Sequence, residues 1–378
     1  MSSNKIKSRM MKTKNGNFFD YSLLFIIIFL LCFGLVMLYS TSSYNAQIKF
    51  GSSTWFLKKQ LIATILGIAA MGFVIFFGYN RVKKFSIFIY ISAFLSIFLV
   101  LTPLGIESYG ARRWIWIGFT SIQPAEFAKL ATIIFLAFII SKNAKSVKNF
   151  KTLVKIIGLT IPVIGAVAIV TENLSTAIII MGIVIIMLFV ASPKYNHFVI
   201  MGGVAAIFVV LFIVLGDGFR MTRIEVWKNP EEYSLEGGFQ VLQGLYAIGS
   251  GGVFGKGLGQ SVQKLGFIPE AQNDMIFTII CEELGLFGAI AVILLFLFML
   301  WRFMIIANNA PDLFGALLVV GVMAHIALQV ILNVAVVTNS IPNTGVTLPF
   351  ISYGGTSVLF LLIEMGLVLS VSRSIRSE

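Results

Sequence analysis

Long apolar stretches, each about the length of a membrane-crossing helix, run through nearly the whole chain. Ten of them lie at about 19–40, 56–77, 85–104, 124–141, 151–170, 174–192, 197–216, 275–302, 312–340 and 347–371. In lipid the backbone must satisfy its own hydrogen bonds, so each stretch is expected to be a helix. The sequence therefore predicts an all-α, polytopic membrane protein of about ten transmembrane helices. With 58% apolar and 12% charged residues, the composition excludes a water-soluble globular protein.

Basic residues are concentrated in alternate connections, which predicts the orientation. Since Lys and Arg favour the cytoplasmic side, both termini are expected in the cytoplasm. The predicted organisation is a basic N-terminal tail (1–18), a single ten-span domain (19–372) with one long outer loop (about 217–274), and a short C-terminal tail (373–378). The 28 Lys and Arg against 16 Asp and Glu then reflect topology and attraction to anionic membrane lipid, and no nucleic-acid binding is expected.

The long outer loop is rich in glycine, with apolar residues interleaved. This pattern predicts a loop that folds back onto the membrane face with short helices, although a solvated connector is the alternative. Gly255-Lys256 lacks the remaining positions of a nucleotide-binding Walker A loop. The two cysteines and two histidines offer neither a disulfide framework nor a zinc site.

A shorter outer loop, 105–123, carries Arg112 and Arg113 beside tryptophans. Tryptophan is expected at the level of the lipid headgroups, whereas adjacent outer arginines oppose the general charge bias. The loop is therefore either an ordinary interfacial anchor or a cradle for an anionic lipid head, because guanidinium matches phosphate in bidentate geometry.

Several ionisable residues lie inside the predicted spans, where each needs a partner or a role. Glu126 and Lys129, three residues apart after Pro124, share one helix face and are expected to pair or to line a wet cavity. His325 is expected to form a hydrogen bond between helices rather than to bind a ligand. Further acidic residues in late spans are Glu282, Glu283 and Glu364.

Asp274 lies where the long loop re-enters the membrane, just after Pro269-Glu270. If Pro269 begins a helix, Glu270 and Asp274 share a face at a spacing of four residues. A carboxylate that is half desolvated there should have a raised pKa, in the range useful for a general base. The alternative is a helix-terminal charge that interacts with the helix dipole.

A series of short motifs follows the same order as these features. They are Gly110-Ala-Arg-Arg-Trp, Gln123-Pro-Ala-Glu-Phe-Ala-Lys, Arg220 with Arg223, Tyr246-Ala-Ile-Gly-Ser-Gly-Gly, Ser261-Val-Gln-Lys-Leu, Pro269-Glu-Ala-Gln-Asn-Asp, Glu282-Glu-Leu-Gly and Thr344-Gly-Val-Thr-Leu-Pro-Phe-Ile-Ser-Tyr-Gly-Gly-Thr-Ser. Over about residues 20–375 the chain resembles the SEDS family (shape, elongation, division and sporulation), and within it the FtsW and SpoVE branch.

The resemblance implies a peptidoglycan glycosyltransferase of the bacterial cytoplasmic membrane. Members polymerise lipid II outside the membrane during cell division or sporulation, and release undecaprenyl diphosphate. They work with a class B penicillin-binding protein and other division proteins. The family's essential aspartate falls on Asp274, its loop arginines on Arg220 and Arg223, and its fourth-span pair on Glu126 and Lys129.

These assignments predict an inverting transfer in which Asp274, with Glu270 in reserve, takes the proton of a sugar hydroxyl. The residues predicted to bind substrate are Arg112, Arg113, Glu126, Lys129, Arg220, Arg223, Lys256, Lys264, Ser352 and Tyr353. No metal motif is present in the sequence. A divalent cation such as Mg²⁺ or Mn²⁺ would be held partly by the substrate's diphosphate, and the sequence leaves open whether one is required.

Two departures from the family pattern bear on the site. Gln272-Asn273 replaces a common His-Thr before the aspartate, and Asn173 stands where the family usually has an acid, with Glu172 one position earlier. Two other functions remain open at this point. One is a lipid II flippase without chemistry, although no inverted repeat is evident, and the other is a non-enzymatic scaffold for division proteins.

Overall fold

The computed structural model describes residues 19–108, 110–118, 120–192, 218–233 and 237–375, with isolated positions between 196 and 203. The elements, in chain order, are α1 (Tyr21–Phe50), α2 (Trp55–Phe77), α3 (Tyr79–Lys84), α4 (Ser86–Phe98), β1 (Gly105–Ser108), β2 (Ala111–Ile117), β3 (Thr120–Ile122), α5 (Pro124–Lys142), α6 (Phe150–Val170), α7 (Leu174–Ala191), α8 (Gly218–Lys228), α9 (Phe239–Gly251), α10 (Ile276–Asn308), α11 (Leu313–Val337) and α12 (Gly355–Arg373).

Eight helices of the described residues are long and apolar enough to cross a membrane: α1, α2, α5, α6, α7, α10, α11 and α12. The predicted class, a multi-pass helical membrane protein, is confirmed. The third predicted span is the shorter helix α4, continued by a 3₁₀ turn at Leu99–Leu101. The seventh predicted span, 197–216, and the tail 1–18 fall outside the described residues, apart from a few isolated positions in the span.

Helix starts follow local capping chemistry. The Asp20 carboxylate accepts a hydrogen bond from the backbone N–H of Leu23 at 2.9 Å, and Pro124 occupies the first turn of α5, as predicted. The main apolar core lies where α10, α11 and α12 meet α1, α2 and α5. Large apolar side chains such as Phe76, which is 79% exposed, lie on the outside of the bundle, as expected for surfaces that face lipid.

The short loop 105–123 is a three-stranded antiparallel sheet in the order β1-β2-β3. No strand is predicted for this loop from its sequence. Ile115 of β2 is buried, whereas its neighbour Trp116, on the opposite face of the sheet, is half exposed. The half-exposed Trp116 agrees with the predicted interfacial tryptophan.

The long loop contains two short helices, α8 and α9, as predicted, and its glycine-rich part packs against an interruption in α10. The interruption lies at Gly285, whose φ and ψ are 67° and −167°. Backbone groups freed there pair with the loop through Lys256 N–H to Glu282 O (2.9 Å), Gly257 N–H to Glu283 O (2.9 Å), Leu286 N–H to Gly252 O (2.9 Å) and Phe287 N–H to Val253 O (3.1 Å). The loop therefore satisfies the broken helix instead of acting as a solvated connector.

Gly285→Ala should destabilise the protein by about 2 kcal/mol or more, because both backbone strain and a steric clash oppose a side chain there. A Cβ at this position would lie 2.3 Å from the Gly255 nitrogen and 2.5 Å from the Val253 oxygen. Thermal unfolding of purified protein in detergent measures the effect. Gly72→Ala in α2, where nothing lies within 4 Å of the added carbon, is the matched control and should not lower the melting temperature. An unchanged melting temperature for Gly285→Ala would contradict this account of the break.

Candidate active site

Asp274 lies in a turn segment just ahead of α10 and is half-buried. The prediction that Pro269 begins a helix is wrong: α10 begins at Ile276. Glu270 has a left-handed φ of 47°, and its carbonyl accepts from the Asn273 backbone N–H at 2.8 Å. This tight turn prevents a helix from propagating through the segment. Glu270 and Asp274 are therefore close without sharing a helix face.

The pKa of the Asp274 carboxyl is raised from 3.8 to about 6, chiefly by burial and to a smaller extent by the neighbouring charge of Glu270. Hydrogen bonds from the backbone N–H groups of Asp274 and Met275, together with the positive charge of Arg223, oppose that rise. The predicted direction of the shift is confirmed. The carboxylate is thus ionised near neutral pH but basic enough to accept a proton.

Residues 338–354, here called the α11–α12 segment, contain no helix, and burial within them is concentrated between Val346 and Ser352. The predicted tenth span, 347–371, includes residues 347–354 of this segment, but α12 begins only at Gly355. Two residues of the segment, Gly345 (φ 67°) and Phe350 (φ 64°), adopt left-handed backbone conformations. A helix cannot continue through such residues.

The α11–α12 segment forms one wall around the aspartate. A Cβ placed on Gly345 would lie 4.0 Å from the Asp274 carboxylate atom Oδ2. The backbone N–H of Tyr353 donates to the Gln272 carbonyl at 2.9 Å. Because Gly345 has no side chain, space remains directly beside the carboxylate.

Other elements fix the same segment. Ser175 of α7 donates its hydroxyl to the Thr344 carbonyl at 2.6 Å, and Arg223 of α8 donates to the Asn343 carbonyl at 3.4 Å. Arg223 is exposed, and its charge reaches Asp274. The long loop and the α11–α12 segment therefore bring an arginine and the aspartate together.

The intramembrane charges form a buried polar network. Lys129 and Glu126 pair at 2.9 Å, and both are nearly inaccessible to solvent. Of the two predicted alternatives, pairing with each other or lining a wet cavity, the pairing is confirmed. Lys129 also donates to Gln329 of α11 at 3.5 Å. His325 contacts Glu364 at 2.8 Å, as predicted for a hydrogen bond between helices. These groups connect α5, α11 and α12.

The two outer arginines of the sheet have different surroundings. Arg112 is exposed and lies 3.7 Å from the Glu107 carboxylate. Arg113 donates to the carbonyls of Thr171 (3.2 Å) and Glu172 (2.9 Å). Burial lowers the pKa of Arg113, and the Glu172 carboxylate opposes that shift. Arg113 thus joins the sheet to the α6–α7 turn.

Both lysines predicted to bind substrate from the glycine-rich loop are paired with α10. Lys256 lies 2.7 Å from Glu282, and Lys264 lies 2.7 Å from Glu283 and 2.9 Å from the Ser40 hydroxyl. Ser261 also donates to Glu282. Lys264 is only 5% exposed. The structure places these lysines at the break in α10, in a pairing that the sequence analysis does not foresee.

The remaining predicted residues have mainly architectural contacts. The Ser352 hydroxyl accepts from the Leu348 backbone N–H at 2.8 Å, and the ring of Tyr353 meets Phe56 edge to face at 5.0 Å. Arg220 belongs to α8, but its side chain lies outside what the structure describes. The predicted involvement of these three residues with substrate stays a prediction.

Asn173, which replaces the family's usual acid, caps α7 by accepting from the Thr176 backbone N–H at 3.0 Å. Asparagine and aspartate are comparable helix caps, so the local fold accommodates the replacement. Within the described residues, no group of three or more His, Cys, Asp or Glu could by itself hold a metal ion. A divalent cation held with the substrate's diphosphate therefore stays a prediction as well.

Comparison with known proteins agrees with this arrangement. The family described as cell cycle protein, FtsW/RodA/SpoVE, matches residues 21–377. Stage V sporulation protein E of Bacillus subtilis (strain 168) is 42% identical over 360 residues, covering 94% of this chain and 97% of that protein. A probable peptidoglycan glycosyltransferase FtsW of Geobacter metallireducens is 36% identical over 356 residues, covering 94% of each chain.

Solved structures give the same result. A chain from a peptidoglycan synthase complex, described for its coordination of polymerization and crosslinking, superimposes with a TM-score of 0.79 at 27% identity, covering 94% of this chain and 98% of that one. The rod shape determining protein RodA of Thermus thermophilus gives a TM-score of 0.68 at 25% identity, covering 95% and 98%. The chain is thus a multi-pass bacterial membrane protein, and it belongs to the FtsW/RodA/SpoVE family.

Proposed function

We propose that this protein is a peptidoglycan glycosyltransferase that polymerises lipid II into glycan strands at the outer face of the cytoplasmic membrane. The observation that carries the proposal is a half-buried carboxylate, Asp274, with a raised pKa, an exposed arginine within electrostatic reach and open space at Gly345. Perturbed carboxylates of this kind are characteristic of acid–base sites. The names of the FtsW relatives support the same reaction class.

Asp274 acts as the general base. It accepts the proton of a sugar hydroxyl while that oxygen attacks the anomeric carbon of a lipid-linked disaccharide, and the bond from this carbon to the diphosphate breaks. A base of this kind typically contributes about 10²–10⁴-fold to the rate. Because the acceptor is itself the nucleophile, one carboxylate suffices, and direct displacement inverts the anomeric centre.

The leaving undecaprenyl diphosphate needs positive charge that is held ready before reaction. Arg223 is the best-placed cation, because it is exposed, lies on the long loop and interacts with Asp274. Unlike the exposed Arg223, Lys129 and Lys264 are buried and paired with carboxylates, and Arg113 is half-buried. A divalent cation bound with the diphosphate would supply additional charge neutralisation.

The orientation and the partners belong to the same proposal. The bias of basic residues supports an orientation with both termini in the cytoplasm and the aspartate outside. A class B penicillin-binding protein associates with this chain and cross-links the glycan product, and other division proteins join the same complex. In support, one structural neighbour belongs to a peptidoglycan synthase complex.

Reconstitution in vesicles with its transpeptidase partner and lipid II tests the function. We expect glycan polymer on gel analysis, and release of undecaprenyl diphosphate. A fluorescent lipid II translocation assay on the same vesicles examines the flippase alternative. Translocation without any polymer would overturn the proposal, and so would the absence of both activities in a correctly folded, partner-bound protein.

The rate of polymerisation should rise with pH through about 6 and then level off, because Asp274 must be ionised to accept a proton and burial raises its pKa to about 6. Glu270→Gln should move this acid limb to lower pH, since the Glu270 charge raises the pKa of Asp274. Arg223→Gln should move it to higher pH, since the Arg223 charge lowers that pKa. Initial rates measured between about pH 4.5 and 8 check both signs. Shifts in the same direction for the two variants would contradict this assignment.

A further inference from the structure

Asn333 lies near the end of α11 and is completely buried. Its side-chain nitrogen Nδ2 donates to two backbone carbonyls, those of Asp274 and Val346, each at 2.7 Å. An amide nitrogen carries two hydrogens, so both are used. A single side chain on a membrane-spanning helix thereby joins the aspartate's own backbone to the α11–α12 segment.

The two carbonyls belong to the two sides of the candidate site. Asp274 carries the carboxylate, and Val346 directly follows Gly345, which the carboxylate faces. The turn that carries Asp274 is not part of a helix, since α10 begins only at Ile276. Its position therefore depends on contacts such as this one and the bond from Tyr353 N–H to the Gln272 carbonyl.

We infer that Asn333 is a positioning residue for the reaction, because it holds the Asp274 backbone at a fixed distance from the Gly345 turn. This inference rests on the proposed function. A leucine at this position would fill the volume but leave both buried carbonyls without a donor. An aspartate would keep the shape but present an oxygen to at least one of them.

The charges that act on the Asp274 carboxylate come from Glu270, on the same turn, and Arg223, on α8. Asn333 is uncharged, so its replacement by another uncharged residue, such as leucine, changes the titration of Asp274 only by changing the geometry. A turn released from α11 would expose the carboxylate to water. Since burial is the main cause of its raised pKa, the pKa should then fall towards its ordinary value.

The test compares Asn333→Leu and Asn333→Asp with the wild-type protein in the lipid II polymerisation assay. We expect both variants to lower kcat by about 100-fold, the loss typical of a misplacement by about 1 Å, with KM for lipid II changed less than about threefold. For Asn333→Leu, which adds no charge, the acid limb of the pH–rate profile should also move to lower pH. Asn333→Asp preserves packing volume, so it keeps the test informative if Asn333→Leu folds poorly.

Tyr90→Phe is the matched control. It also removes one buried hydrogen bond to a backbone carbonyl, that of Leu159 at 2.8 Å, but between α4 and α6. It should lower the melting temperature without changing kcat or the pH profile. Wild-type kcat and pH profile in both Asn333 variants would overturn the inference alone. A loss of activity no greater than that of Tyr90→Phe at equal thermal stability would also overturn it. Absence of polymer from the wild-type protein would instead reject the proposed function, and the inference with it.

Discussion

Asp274→Asn should abolish glycan polymerisation, with a loss of about 10²–10⁴-fold in kcat, in protein that still inserts and folds. Asparagine has nearly the same shape as aspartate but cannot accept the proton of a sugar hydroxyl. Thermal stability should not fall at neutral pH. Folding raises the pKa of Asp274 from 3.8 to about 6, so the ionised carboxylate destabilises the folded state above about pH 6 and has no such effect below its ordinary pKa.

Two measurements check this prediction. Polymer formation from lipid II gives the activity, and melting temperatures at about pH 4 and 8 give the sign of the stability change, which should favour the variant only at the higher pH. Glu232→Gln, which alters another acid of the long loop that contacts Asn229 at 3.2 Å, is the control and should leave the rate unchanged. A wild-type rate from Asp274→Asn would remove Asp274 as the base.

Lys264→Met should destabilise the protein by about 3–5 kcal/mol, because it leaves the buried Glu283 carboxylate without its cation. Glu283 is fully buried, and Lys264 contacts both it and Ser40. By contrast, Lys83→Met breaks a partly exposed pair with Asp312 at 3.3 Å. That change should cost less than about 1 kcal/mol. Thermal or denaturant unfolding in detergent compares the two variants directly.

The double variant Lys264→Met/Glu283→Gln should recover most of the lost stability, since it removes the uncompensated charge together with its partner. This result would identify the pair as a brace between the glycine-rich loop and α10. The opposite pattern, unchanged stability with a raised KM for lipid II, would contradict the brace and favour the sequence-based prediction that Lys264 binds substrate.

The membrane helices could be predicted without coordinates because their signal is local. A run of apolar residues such as α7 leaves the backbone no hydrogen-bonding partner in lipid except itself. The pair of Glu126 and Lys129 could also be predicted from the sequence, since residues at a spacing of three lie on one helix face. Asp274 lies at the end of a polar loop, just before an apolar run. This place in the sequence predicts both its position at the N-terminal end of α10 and the direction of its pKa shift.

The failures have other causes. The sequence predicts a helix that begins at Pro269 and a last span that begins at 347, because neither a left-handed Glu270 nor a left-handed Phe350 is recognisable from residue type. It predicts no strand at 105–122, because the strands there are short and only half-buried. The sheet is held by pairing of neighbouring strands, whereas the α11–α12 segment is held by contacts with distant elements such as α7 and α8.

Residue order alone was enough to specify helices, their number to within a few, and the polar positions that interrupt them. Only the tertiary structure determines which remote residues form hydrogen bonds with one another. Asn333 meets the Asp274 backbone across 59 residues, and Lys264 meets Ser40 across 224. The periodicity of a helix indicates which of its faces is buried. A hydrogen bond between remote segments, in contrast, depends on the conformation of the whole chain between them. The sequence therefore identifies Asp274 as the candidate carboxylate, but only the tertiary structure shows the contacts from α11 and the α11–α12 segment that hold it in position.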